Sequence, residues 1–277
     1  MLVVLVAVSL AACGQTEPEP KAQAESEPLR LVTLAPHLAE IVAAAGAAEV
    51  LVGVSAYTDY PAEVVDRPIV GDGFRIDAEA LLAVKPTHVL AWGGGGQVDS
   101  IALVKELGLN LVTIETRGLD DIAPAIRQVG ALAGTEAVAE PAAARFESEI
   151  AGLSYEGARL RVFYQIGERP LYTVNGAHFF SDLMARCGGD NVFAELETLA
   201  PVVSIEAVVR EDPDVILTGS DATAVASMWQ RWPDLGAVKN NRILGLPGDL
   251  IGRPGPRLAA GGRAICETLE AARQAER

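Results

Sequence analysis

Three histidines, three cysteines and a pair of acids in matching surroundings are the residues through which this chain can do chemistry. His37 and Glu40 stand three positions apart, a spacing that puts two side chains on one helical face and would offer a metal two ligands. His88 lies in an apolar run and reads as a hydrogen-bonded strand residue, so no closed ligand set is assembled and no metal is expected. Gly93–Gly96 is followed by Gln97-Val98 and therefore lacks the lysine and hydroxyl of a phosphate-binding loop. There is no Gly-x-Ser-x-Gly nucleophile elbow, and no acid–base pair is marked by its spacing. The expectation is a binding protein, with neither catalysis nor a resident cofactor.

The bulk properties agree. At 277 residues, half of them hydrophobic, the chain has material for one large domain or two modest ones and is too apolar for disorder. Twenty-two Lys+Arg against 37 Asp+Glu give a net charge of −15, which argues against nucleic acid, since neutralising phosphates takes a basic surface. Aromatic residues make up only 5%, so each Trp and Tyr is informative. An odd cysteine count leaves one thiol over after any pairing.

One of the three is Cys13. Leu2–Ala12 is uncharged and apolar apart from Ser9. It is too short to cross a bilayer, which takes roughly 20 residues, but suits the apolar core of a secretory signal over 1–12. Leu10-Ala11-Ala12-Cys13-Gly14 resembles a bacterial lipobox, in which the cysteine is lipidated and becomes the mature N-terminus. No Lys or Arg precedes the run, a departure from the usual basic start. Residues 13–28 carry prolines, charges and small residues without apolar period, as a tether does. The expected location is the periplasm, on a lipid anchor in a membrane.

Beyond Leu29 short apolar runs alternate with helical stretches. Leu31–Leu34, Val50–Val54, His88–Trp92, Leu109–Ile114, Val162–Ile166, Val215–Leu217 and Ile243–Leu246 read as strands. Ala39–Ala45, Ala78–Val84, Ser100–Leu107, Asp120–Leu132, Phe179–Arg186, Ile205–Arg210 and Arg257–Arg273 read as helices. This is the pattern of an α/β protein with largely parallel sheets. Glu79–Leu90 aligns without gaps on Glu206–Leu217: a short helix with an acid in its first turn, a proline that ends it, and a buried strand. A helix-then-glycine element precedes each copy, His37 to Gly46 and His178 to Gly188, which indicates two lobes of one design. Thr135–Leu153 has the apolar spacing of one helix, up to roughly 28 Å long, with Pro141 near its start where proline is tolerated. The expected organisation is an N-lobe over 29–134, a connecting helix over 135–154 and a C-lobe over 155–277. Trp229 and Trp232 fall on one face of a helix expected over Val225–Trp232, as core or lobe-surface anchors.

Arg30–Glu40, Gly53–Pro61, Lys85–Trp92, Cys187–Phe193 and Gly248–Arg257 resemble, throughout their spacing, the periplasmic binding proteins for cobalamin and iron chelates that serve ABC importers. The resemblance covers the chain beyond the tether and lies nearest the cobalamin branch. It implies two Rossmann-like lobes with central, largely parallel sheets joined by one long backbone helix, the class III periplasmic binding protein architecture. It further implies a monomer that captures a corrinoid in an interlobe cleft and delivers it to the importer's transmembrane subunits. Haem or a ferric siderophore is the alternative cargo, with His37 or Tyr57 as an axial ligand for haem and Arg75 and Arg253 facing carboxylates. A sensory or adhesion lipoprotein is the reading from another class. Carried over by position, Tyr57, Trp92, Tyr172 and the loop Asp249, Leu250, Ile251, Gly252, Arg253 match ligand contacts. Gly93–Gly96 would let a bulky ligand approach the backbone, and flat aromatic faces suit a corrin ring. Glu79 and Glu206 match the family's docking glutamates, one per lobe, although an acid in a first helical turn is also favoured by the helix dipole. Cys187 and Cys266 match the family's disulfide. Two cleft tryptophans of the cobalamin proteins correspond to Gly73 and Ala200 here; Phe74 is the aromatic residue placed to fill the first gap.

Overall fold

The computed structural model describes residues 27–72, 74–95 and 97–274; the apolar leader, Cys13 and residues 14–26 of the tether lie outside them, as do Gly73 and Gly96. Strands β1 (Leu31–Thr33), β2 (Leu51–Gly53), β3 (His88–Trp92) and β4 (Asn110–Ile114) form one sheet in the order β2-β1-β3-β4. Strands β5 (Leu160–Gln165), β6 (Gly189–Asn191), β7 (Val215–Thr218) and β8 (Ile243–Gly245) form a second in the order β6-β5-β7-β8. Every pairing is parallel, and the two orders are the same once the strands of each lobe are counted from its start. The chain is thus two α/β lobes built alike.

The helices are α1 (Pro36–Ala44), α2 (Ala78–Ala83), α3 (Val98–Glu106), α4 (Ile122–Ala133), α5 (Glu136–Ala151), α6 (Phe179–Arg186), α7 (Ile205–Glu211), α8 (Ala222–Trp229), α9 (Gly236–Lys239), α10 (Gly248–Ile251) and α11 (Leu258–Gln274). The internal repeat is visible in the backbone. α2 and α7 are equivalent helices, capped by the side chains of Asp77 and Ser204, which accept from the amides of Ala80 and Ala207. Each is followed by a left-handed residue ahead of the proline, Lys85 at φ 46° and Asp212 at φ 43°. Several expected boundaries shift. β6 was not expected, because Gly189-Asp190-Asn191 carries no apolar run. The helix expected over Val225–Trp232 ends at Trp229, so the two tryptophans do not share a helix. Trp229 is fully buried, donating its indole N–H to Gln165 Oε1 at 2.8 Å, and Trp232 packs on it from the following turn.

Strands covered on both faces explain why the apolar runs are nearly continuous. Outward faces form one small core per lobe, Val32, Val89 and Ala91 in the first and Phe163 and Ile216 in the second. The inward faces share a single core, in which Leu31 and Leu90 of one sheet and Val162, Val215 and Leu217 of the other are joined through Ala139, Ala143, Phe146 and Ile150 of α5. That connecting helix spans about 24 Å at 1.5 Å per residue. Its first half lies on α4 so closely that any side chain at Gly130 would overlap Ala139. Arg127 of α4 forks to Glu140 at 2.7 Å and Glu147 at 2.6 Å. Its other end meets the C-lobe, where Arg263 pairs with Glu149 at 3.1 Å. A disulfide joins Cys187, at the end of α6, to Cys266 in α11.

Candidate functional site

Parallel open sheets bind ligands beyond the carboxyl ends of their strands. Each expected ligand contact lies there: Tyr57 and Phe74 follow β2, Trp92 ends β3, Tyr172 follows β5, and Asp249–Arg253 follow β8. Phe74 is 83% exposed and Tyr57 79% exposed, which leaves a large aromatic surface open to solvent. Tyr57 holds the left-handed region at φ 65°, a conformation rare for a bulky residue. The turn carrying Phe74 is closed by Asp72, whose Oδ1 accepts from the amides of Phe74 and Arg75 at 2.8 and 2.7 Å.

Trp92 is positioned from three sides. Its amide donates to Gln97 Oε1 at 3.1 Å, and the buried Gln97 amide group donates to Leu34 O at 2.8 Å, tying the ends of β3 and β1 together. Its ring stands edge-on to His37, centroids 4.9 Å apart. The indole lies against the turn that follows, so that a side chain at Gly95 would collide with it. Gly95 is therefore needed first to seat Trp92.

In the C-lobe, Tyr172 is 39% exposed and bridges Val202. Leu199 and Val202 are exposed on either side of Ala200, so apolar surface remains where the resemblance placed a missing tryptophan. Nothing in the apolar pattern distinguished them from loop residues. The loop after β8 is less uniform than its sequence implied. Ile251 is 2% exposed and packs beside Gly219 and Gly261, anchoring α10 from beneath while Asp249 and Gly252 face outward.

Two arginines of this loop region cross to the N-lobe. Arg253 forks to Asp59 at 2.6 and 3.1 Å and donates to Tyr57 O at 3.1 Å. Arg257 forks to Glu40 at 3.1 and 2.8 Å, reaches Asp249 at 3.3 Å, and lies 4.6 Å over the Tyr60 ring. The Glu40 side chain is 2% exposed. Burial pushes its carboxyl above the usual carboxylate range against the pull of Arg257 and Arg253. The hydrogen bonds from Arg253 hold Asp59 below that range. Neither Asp59 nor Arg257 was singled out by sequence, although each lies in a segment that carries the resemblance.

His37 and Glu40 do share α1, but they serve different partners. His37 Nε2 lies 3.3 Å from Thr116 Oγ1, and burial, helped by the nearby Arg253 charge, lowers its pKa to about 3. It is a neutral core residue, shielded from a cleft ligand. His88 is half-buried, its Nδ1 3.2 Å from Thr87 Oγ1. Glu79 and Glu206 are both exposed in the first turns of α2 and α7. Glu206 sits below the ordinary carboxylate range through its own backbone amide and the Ser204 hydroxyl.

A family model described as periplasmic binding protein matches residues 31–250. The chain is similar to a vitamin B12-binding protein of Vibrio cholerae serotype O1, with 34% identity over 249 residues, 88% of this chain and 90% of the relative. It is equally similar to the vitamin B12-binding protein of Pectobacterium carotovorum subsp. carotovorum, 34% identical over 249 residues and 89% of that protein. Among solved structures, the periplasmic vitamin B12 binding protein BtuF of Vibrio cholerae aligns with a TM-score of 0.81 at 34% identity, covering 88% of this chain and 98% of that one. The periplasmic heme-binding protein RhuT from Roseiflexus sp. RS-1, in apo form, aligns with a TM-score of 0.76 at 25% identity, covering 90% and 100%. By family match, identity over most of its length and shared two-lobe topology, the chain belongs to the periplasmic binding protein family.

Proposed function

We propose that this protein captures cobalamin between its lobes in the periplasm and hands it to an ABC importer. The observation that carries the reading is the 34% identity, over 88% of the chain, with proteins named for binding vitamin B12. The exposed faces of Tyr57, Phe74 and Tyr172 and the apolar Leu199 and Val202 support it, since a corrinoid buries a large flat surface against such groups. Arg253, Asp249 and the main chain at Gly252 would meet the polar periphery. Haem is the second cargo to test, because the exposed Tyr57 offers a phenol oxygen, whereas His37 is shielded. Nothing in this role requires bond-breaking chemistry; the protein is a carrier, and ATP hydrolysis belongs to a separate subunit.

Glu79 and Glu206 would dock on the importer's transmembrane subunits. Their equivalent places on α2 and α7 suit a partner with two-fold symmetry, which presents like surfaces to both lobes. Cys13 would carry the lipid anchor after removal of residues 1–12, leaving a tethered monomer with lobes over 29–134 and 155–277. The shared inner core and the connecting helix favour small lobe movements, so release would depend on the importer prying the lobes apart.

Absorbance titration of the purified protein with cyanocobalamin, haem and a ferric siderophore tests the cargo. Saturable cyanocobalamin binding at micromolar concentration or below is expected, with no comparable response to the other two. Tyr57→Ala should weaken it about ten- to hundredfold, the equivalent of about 1.5–3 kcal/mol for one aromatic face. No cyanocobalamin binding at micromolar concentration would overturn the reading.

A further inference from the structure

Of the charged cluster between the lobes, the reading above uses only Arg253 and Asp249; Glu40, Asp59 and Arg257 have no role in it. It is assembled across the chain: Glu40 and Asp59 come from the N-lobe, Arg253 and Arg257 from the C-lobe. The contacts are paired forks, the geometry that fixes both distance and orientation of two carboxylates and two guanidinium groups. Arg253 also donates to the carbonyl of Tyr57. Two residues expected to touch ligand, from opposite lobes, are therefore linked directly through the Tyr57 main chain, which occupies a costly conformation. The approach is close beneath them as well. A Cβ on Gly255 would stand 3.2 Å from Glu40 Oε2 and 3.3 Å from His37 Cβ, so the C-lobe loop is seated on α1.

We infer that Asp59 and Glu40 are positioning residues for ligand capture: by clamping Arg253 and Arg257 they hold Tyr57 and the loop 249–253 as one preformed surface across the two lobes. The lobes do not need the clamp for cohesion, since their inner faces already share a core through α5. What the clamp adds is local. It fixes the strained Tyr57 segment and joins it to the loop that follows α10, which is seated on the N-lobe at buried Pro254 and Gly255. A ligand meeting a preformed surface avoids the ordering cost that flexible contacts would impose on binding. Asp59 is the better place to test this, because its side chain is half-exposed and can be changed without opening a cavity, whereas Glu40 is buried.

The affinity part of the test rests on the cobalamin reading; the dynamic part does not. Asp59→Asn should weaken cyanocobalamin binding about tenfold, the loss expected for one charge-assisted fork. Asp59→Glu, which keeps the carboxylate, should recover most of it. In the ligand-free Asp59→Asn protein, amide hydrogen exchange should quicken across 56–60 and 252–257 but not in β3 or β7, with an unchanged melting temperature. Unchanged exchange in those segments would overturn the inference, as would unchanged affinity. Tighter binding would also overturn it, since Asp59 would then be a competitor that occupies Arg253. If the unaltered protein fails to bind cyanocobalamin, the proposed function falls while hydrogen exchange alone decides for or against the clamp.

Discussion

Reducing the Cys187–Cys266 disulfide should cost the C-lobe a large share of its stability, and the size follows from what the bond encloses. The two cysteines are 79 residues apart, and between them lie β6, α7, β7, α8, α9, β8 and α10. Nearly the whole C-lobe beyond β5 and α6 is therefore closed into one loop. For a loop of that length the chain-entropy relation gives about 15 cal/mol/K, or about 4.5 kcal/mol at 25 °C. With about 2–4 °C of melting temperature per kcal/mol in a chain of this size, the loss amounts to about 9–18 °C. Thermal melts of the oxidised protein, the thiol-reduced protein and Cys187→Ala/Cys266→Ala measure it. The reduced protein and the double variant should agree to within about 1 kcal/mol, because alanine at buried Cys187 removes only one sulfur from the core.

The common inner core adds a second requirement. If Leu31, Leu90, Phe146, Val162 and Leu217 unfold together, the melt stays a single transition that moves as a whole. A reduced protein melting within about 2 °C of the oxidised one would refute the entropic argument. A split in which only a later transition moves would refute the cooperative coupling of the lobes instead.

Two further outcomes are expected. Glu79→Lys and Glu206→Lys should each impair cyanocobalamin uptake in cells, and together abolish it, while leaving binding by the purified protein unchanged; intact uptake in the double variant would remove the docking role. Stability should fall as the pH drops below 6.5, the ordinary histidine value. His37 is held neutral by burial down to about 3, so the unfolded chain takes up the proton first and the folded state loses up to about 1.4 kcal/mol per pH unit in that window. His178, lowered to about 4 by burial, acts in the same direction over a shorter range. Glu40, whose carboxyl is raised by burial, acts oppositely, since protonation then favours the folded state. Urea midpoints across pH 4–7 for the protein and for His37→Gln read the difference: the variant should show the flatter profile, and parallel profiles would refute the assignment.

What the sequence made legible divides along physical lines. Apolar runs, proline stops and acids in first helical turns are local signals, and they sufficed for the parallel lobes, the connecting helix and the equivalence of α2 with α7. Where the local signal is weak the reading failed: β6 is an edge strand of Gly-Asp-Asn held by its partner's backbone, and the turns around α9 and α10 are set by tertiary packing. At Trp229 the helical period was carried one turn too far, because Trp232 is apolar for a different reason, packing back on its neighbour.

The site shows the same division more sharply. Tyr57, Trp92 and Arg253 were reached through their flanking motifs, yet the residues that hold them were not. Gln97 reads only as the residue after the glycine run, although it ties two strand ends beneath Trp92. Asp59 and Arg257 lie within the matched segments Gly53–Pro61 and Gly248–Arg257 but are given no role there, although they span the lobes. A charge carries no sequence mark of its partner: Arg253 and Asp59 are 194 positions apart, and Arg257 and Glu40 are 217 apart. Their pairing exists only because two separately folded sheets present their carboxyl ends to one another. Glu40 looked like half of a metal site because i,i+3 spacing specifies a shared helix face and not what that face meets. It meets an arginine from the other lobe, so the same carboxylate that seemed to recruit an ion joins the two halves of the cleft.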